Sequence, residues 1–410
     1  MQDRIVKSLK EKKLVFWEEV ARDGAQAKIL LTGEQRVKVA KANAALFNEN
    51  GPDHLVFAAG FPSIGKEEFE TIRYVADNVD SCYVVPNGRA FKEEIELCLN
   101  SVKGTKYPRI AFFVPMSENL ADVIMHKNLK EVEKITLDIA RFALDKANGI
   151  PVDIQLAAAA ESDPSFIADV ALKLTEEGIS TIGIGDSFGK IYPNEMMVFL
   201  DKLIEKTDDR VLFSTHFHND LCFSLCNNIQ AIKRNIRLIT TSWLGLGERN
   251  GLLPTEQLLF LMSYEAEKLE KRLGIKDNEL FYSKPNIKGI VDLAKLISNF
   301  TEVPLKITDP LVGTGVNTLS TGTPFVNTLA FQPFDTEKVL GVKQEVFVTQ
   351  LASKRLVVKV AKDLNFDLNE EQIVEALKYI KSETYRRGKA VIPNDELIKL
   401  FKKISGKNMN

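Results

Sequence analysis

Histidine and cysteine are scarce in this chain, with four of each among 410 residues. Cys82, Cys98, Cys222 and Cys226 are too few for a disulfide framework. Cys222 and Cys226 stand close together at an expected helix start, but the second Cys or His pair of a zinc knuckle is missing. They read as packed thiols, in a reducing cytoplasm. Long apolar runs are absent as well. No stretch reaches the roughly 18 residues of a spanning helix, so no membrane is expected as partner. The opening "MQDRIVKSLKEKKLVFWEEV" lacks the apolar centre of a secretory signal. Nor is there an excess of charge. A net charge of −2 gives no reason to expect nucleic acid or an anionic surface. What is present is core-forming material. At 45% hydrophobic residues, the chain can build one large core plus an appendage, or two domains.

Short apolar runs alternate with amphipathic segments up to about residue 265. "KLVFWEEVA", "HLVFAAG", "SCYVVPN", "RIAFFVP", "VDIQLAAAA", "TIGIGDS", "VLFSTHFH" and "LITTSWLG" read as strands. Helical patterns lie between them, such as "TGEQRVKVAKANAALFNENG" with Thr32 as its cap. Near-continuous apolar strands with helical crossovers mean a parallel sheet. Eight such units fit a closed (β/α)8 TIM barrel better than an open doubly wound sheet. After about residue 275 the alternation stops. The expected division is a barrel over 1–275 and a smaller, mostly helical C-terminal region over 276–410.

In such barrels, chemistry gathers where strands end. The first strand runs into "ARDGAQ", the seventh into "THFHND", and the eighth into "GLGERNG". Asp23, His216 and His218 would make a two-His, one-carboxylate set at the mouth, with positions left open for substrate and water. These donors suit several divalent ions, Mg, Mn and Zn among them. Taken alone, an H-x-H pair or an Asp-Gly turn is a weak signal; their convergence on one barrel face is stronger. If the first strand alternates regularly into Asp23, Glu19 and Trp17 share its face. Glu19 then either enters the barrel as an acid or base, or pairs with Arg22.

The motifs "RDGAQ", "HFHNDLC" and "GLGERNG", in that order and spacing, resemble R-D-G-x-Q, H-x-H-N-D-x-G and G-x-G-E-R. These are signatures of the isopropylmalate, homocitrate and citramalate synthase family. It belongs to a superfamily of metal-dependent TIM-barrel lyases and synthases that includes hydroxymethylglutaryl-CoA lyase. The resemblance implies that Asp23, His216 and His218 hold a divalent cation and that Arg22 stabilises negative charge on the substrate carbonyl. It places Ser187 where a family threonine contacts the substrate carboxylate; the plain alternative is a strand-end hydroxyl capping the next turn. Gln26 is expected beside the metal or substrate, with an ordinary loop side chain as the plain alternative, and Thr215, next to His216, is assigned to substrate binding. Glu248 and Arg249 are expected to shape the eighth loop. The implied partners are a small 2-oxo acid and an acyl-CoA, in a homodimer.

The departures concern the chemistry. Ala58 replaces a second-strand Glu, and Ala157–Ala160 replace acidic groups of the fifth strand. Leu252 replaces an Asn ligand, for which Asn250 is a candidate substitute. The family's C-terminal H-E-S-G-I-H appears as "LSTGTP", residues 319–324, and no histidine follows His218. No cysteine follows Cys226 to serve a lyase. The leading expectation is acyl-CoA condensation with a 2-oxo acid. An aldolase or retro-aldol lyase comes next, and a non-catalytic relative that binds metal and acid comes third.

Overall fold

Eight short strands carry the first part of the chain: β1 (Val15–Glu18), β2 (Leu55–Gly60), β3 (Tyr83–Arg89), β4 (Ile110–Pro115), β5 (Val152–Ala157), β6 (Thr181–Asp186), β7 (Phe213–Phe217) and β8 (Leu238–Thr241). They form a closed barrel in sequence order. All pairs are parallel, and β8 returns to β1 with Val15 opposite Leu238. This is the expected TIM barrel, not an open sheet. The computed structural model describes residues 3–275, 279–319 and 331–406. Contacts group the chain into Met1–Pro304 and Leu305–Asn410. Helix Ile290–Thr301 packs on helix Gly33–Ala45 and so counts with the barrel.

The alternation of each strand decides what enters the barrel. Val15 and Trp17 of β1 join Val56 and Ala58, Tyr83 and Val85, Ala111 and Leu238 in one buried cluster. Phe16 turns the other way, against Phe47 and Phe281. Helix Gly33–Ala45 begins in a capping box at Thr32, as its sequence signals. A helix that the apolar pattern did not reveal, Arg4–Lys10, sends Ile5 and Leu9 into the same barrel cluster. Beside it, Arg109 bonds Asp153 and also Asp3, the cap of that helix, while Thr181 donates to Asp153 at 2.6 Å. These groups close the N-terminal end of the barrel, so access to its interior is from the opposite end.

One outward residue of β1 has a use that the sequence does not announce. Glu18 is fully buried and ties β1 to the segment after β8. Its carboxyl accepts the amides of Val20 at 3.0 Å and Trp243 at 3.1 Å, and bonds the Thr255 hydroxyl. Burial pushes this carboxyl up to about 8, against the pull of those three bonds and with help from Glu256. The folded state therefore holds a proton that an unfolded glutamate, near 4.5, has lost. The stability so gained is full below pH 4.5 and is lost as pH rises through about 8. Its ceiling is about 5 kcal/mol. Glu18→Gln keeps the acceptor for both amides and a donor for Thr255. The variant is expected to flatten the pH dependence and to be the more stable protein above pH 8. Urea midpoints of both proteins across that range check it; parallel pH curves would refute it.

The second unit is mostly helical, as expected. It carries a small parallel pair, β9 (Thr318–Leu319) and β10 (Glu345–Val346). Helices Lys354–Asp363, Glu370–Arg387 and Asn394–Ser405 pack Leu356, Ala376, Ile380 and Phe401 into a core of their own. Residues 320–324, which bear most of the "LSTGTP" departure, lie outside the described residues. Among the described residues, no helix is long and apolar enough to cross a membrane.

Candidate active site

The carboxyl ends of the strands surround a cavity of about 640 Å³. Arg22 and Asp23 enter it from the turn after β1. His216 comes from β7 itself and His218 from the residue just beyond it. One ligand atom from each of Asp23, His216 and His218 lies within 4.8 Å of the others. The imidazole centroids are 5.2 Å apart. Strand period explains the pair, since residues two apart point to the same face.

The surroundings suit a cation. Burial would push the Asp23 carboxyl up, but Arg22, His216 and His218 outweigh it and hold the group well below the usual carboxylate range. Burial, aided by His216, holds His218 down to about 4, so its ring is neutral, as a ligand must be. His218 Nδ1 is buried without a hydrogen-bond partner. A buried neutral nitrogen with a free position, beside a carboxylate and a second imidazole, fits a divalent ion. The eighth loop fixes the carboxylate: the Glu248 amide donates to Asp23 Oδ1 at 2.8 Å. A Cβ at Gly247 would meet that same oxygen at 2.8 Å, so only glycine lets the loop come this close.

The other expected residues divide. Arg22 reaches Glu19 through two bonds of 2.7 and 2.9 Å and approaches Asp23 at 3.1 Å. Glu19, almost fully buried, also accepts from Trp17 Nε1 at 2.9 Å. Glu19 and Trp17 thus meet as the alternation requires, and the carboxylate pairs with Arg22. Gln26 lines the cavity with its amide 3.4 Å from Asp23. Ser187 also lines it, and its hydroxyl accepts the Ala158 amide at 2.8 Å, a turn-capping bond. Thr215 needs correction. It is fully buried and does not line the cavity; its hydroxyl donates to Asn228 at 2.6 Å. It immediately precedes the inward-facing His216, so the pleat turns it outward.

Glu248 lines the cavity, while Arg249 bonds Asp220 and the Ser187 carbonyl, holding the seventh and eighth loops together. Asn250 is exposed, with its amide 3.5 Å from the Asp220 carbonyl. Cys222 and Cys226 are exposed free thiols, not packed ones. Among the cavity residues that escaped sequence reasoning are Asn87 and Gln155. Each keeps the inward period of its strand, Asn87 two residues beyond Val85 and Gln155 two beyond Asp153. A polar residue on an inward face was the available signal.

A closed parallel barrel whose mouth gathers a carboxylate, two imidazoles and a guanidinium defines a TIM-barrel enzyme with a possible metal site. The chain belongs to the HMGL-like family, whose model matches residues 13–287. A 2-isopropylmalate synthase from Carboxydothermus hydrogenoformans is 27% identical over 370 residues, covering 88% of this chain and 69% of that protein. Another from Picosynechococcus is 24% identical over 380 residues, covering 90% of this chain and 70% of that protein. Hydroxymethylglutaryl-CoA lyase from Pseudomonas aeruginosa superposes with a TM-score of 0.54 at 18% identity, covering 70% of this chain and 93% of that one. The corresponding lyase from Acinetobacter baumannii, solved with coenzyme A and 3-methylmalate, gives 0.54 at 13% identity, covering 71% and 92%. The structural likenesses speak for the fold. The sequence relatives bear out the resemblance drawn from the three motifs.

Proposed function

We propose that the protein is a divalent-metal-dependent enzyme that joins an acyl-CoA to a 2-oxo acid. The observation that carries this reading is the convergence of Asp23, His216 and His218 beside Arg22. Asp23, His216 and His218 would hold the ion, with Mg, Mn and Zn all compatible with the donors. A bound divalent ion supplies Lewis-acid polarisation of the 2-oxo acid's ketone. Arg22 stabilises the negative charge that develops on the carbonyl oxygen, in a site partly screened from water. Glu19 orients Arg22, since both of its oxygens face that guanidinium. Gln26 and Ser187 line the acid's binding place. The cavity is roomy enough for a small acid and the end of an acyl thioester.

The large apolar side chains Leu30, Ile64 and Val123 are largely exposed, which supports a homodimer that covers them. Free cysteines agree with a reducing cytoplasm. Retro-aldol cleavage is the second reading. It is favoured by the lack of any histidine after His218 to take a proton from an acyl methyl.

Incubation with acetyl-CoA, a divalent ion and a panel of 2-oxo acids, with free CoA followed by a thiol reagent, separates the two. CoA release that needs both acid and metal, and stops with EDTA, is expected. No release with any acid, together with cleavage of hydroxy acids to 2-oxo acids, would transfer the protein to the lyases.

A further inference from the structure

The cavity has two polar regions. Strands four apart in an eight-stranded closed barrel face each other. β7, with His216, therefore faces β3, and β1, which leads into Arg22 and Asp23, faces β5. The far side carries Asn87 on β3 and Gln155 on β5. Asn87 is only 5% exposed. Asn87 Oδ1 and Gln155 Oε1 are both buried without a hydrogen-bond partner, and both residues line the cavity.

Gly183 makes the placement of Gln155 specific. It pairs with Gln155 across β5 and β6. A Cβ at Gly183 would lie 1.6 Å from Gln155 Oε1, so the carboxamide occupies the space that a side chain there would take. Phe61 and Phe113, with centroids 6.1 Å apart, line the same cavity, as does Arg89 at the end of β3, whose guanidinium is paired with Glu94. Buried acceptors require a partner. An alkyl tail supplies none, whereas a hydroxyl does.

We propose that Asn87 and Gln155 select the substrate's tail, and that the protein takes 2-oxo acids whose tail ends in a hydroxyl rather than in a plain alkyl group. This rests on the reading of the mouth as a 2-oxo acid site: the acid's head lies at Arg22 and the metal ligands, and its tail reaches the opposite wall. The two carboxamides are specificity determinants and take no part in bond making.

Titration calorimetry of the full chain saturated with Mn²⁺ tests it with two acids of matched size, 4-hydroxy-2-oxobutanoate and 2-oxopentanoate. The hydroxy acid is expected to bind about tenfold or more tighter, the scale of one buried hydrogen bond. Gln155→Met and Asn87→Leu are each expected to shrink that preference by several-fold, leaving Mn²⁺ binding in place. Gly183→Ala, whose added methyl meets the flexible end of Gln155 first, provides a second route if a strand variant fails to fold. It is expected to weaken the preference in the same way. Equal or tighter binding of 2-oxopentanoate, or a preference untouched by all three variants, overturns the proposal and leaves the 2-oxo acid reading standing. Mn²⁺ binding with neither acid bound overturns both.

Discussion

His218→Ala is expected to lower Mn²⁺ affinity by more than about 100-fold. Loss of a group that only supports a ligand already costs about 10–100-fold, and His218 is assigned as a ligand itself. The remaining donors, Asp23 and His216, are too few to hold the ion tightly. The substitution strands no hydrogen-bond partner, because Nδ1 has none. The unfolding temperature in EDTA should therefore fall by only a few degrees. Competition against a chelating dye measures the affinity, and melting in EDTA separates metal loss from misfolding. An affinity within a few-fold of the wild type would remove His218 from the ligand set and, with it, the basis of the proposed function.

Arg22→Met should damage both stability and turnover, for separable reasons. Glu19 is almost fully buried and Arg22 provides its charged partner. An uncompensated buried carboxylate costs about 3–5 kcal/mol. Adding Glu19→Gln removes that charge, so the double variant should recover most of the lost stability. It should not recover turnover. The positive group facing the developing oxyanion is still missing, a loss on the order of 10²–10³ in kcat. Denaturant titration and the CoA-release assay report the two effects independently. A double variant as unstable as the single one would show that the pair is not what holds Arg22. Turnover surviving in either variant would end the assignment of Arg22 to charge stabilisation. Lysine is not a conservative replacement here, since it cannot make the two-pronged contact with Glu19.

The reach of sequence reasoning differs between strand period and side-chain destination. The eight apolar runs, their order and the mouth residues Asp23, His216 and His218 were all legible. Each follows from local rules: strand burial, crossover length, and the two-residue repeat that turns both imidazoles the same way. The same repeat, applied to Thr215, would have turned it outward to Asn228. For Glu19, period correctly joined it to Trp17, but the choice between a free acid and a partner of Arg22 depended on how the turn after β1 folds.

What the amino-acid sequence determined alone was the barrel and the placing of Asp23, His216 and His218 at its mouth, because period and strand order are properties of neighbouring residues. Tertiary structure decided the rest. It set Glu18 against Thr255 and Trp243. It closed one barrel end with helix Arg4–Lys10, and it laid Gln155 over Gly183. Those contacts join residues from distant strands and loops, and only closure of the barrel brings them within reach of one another.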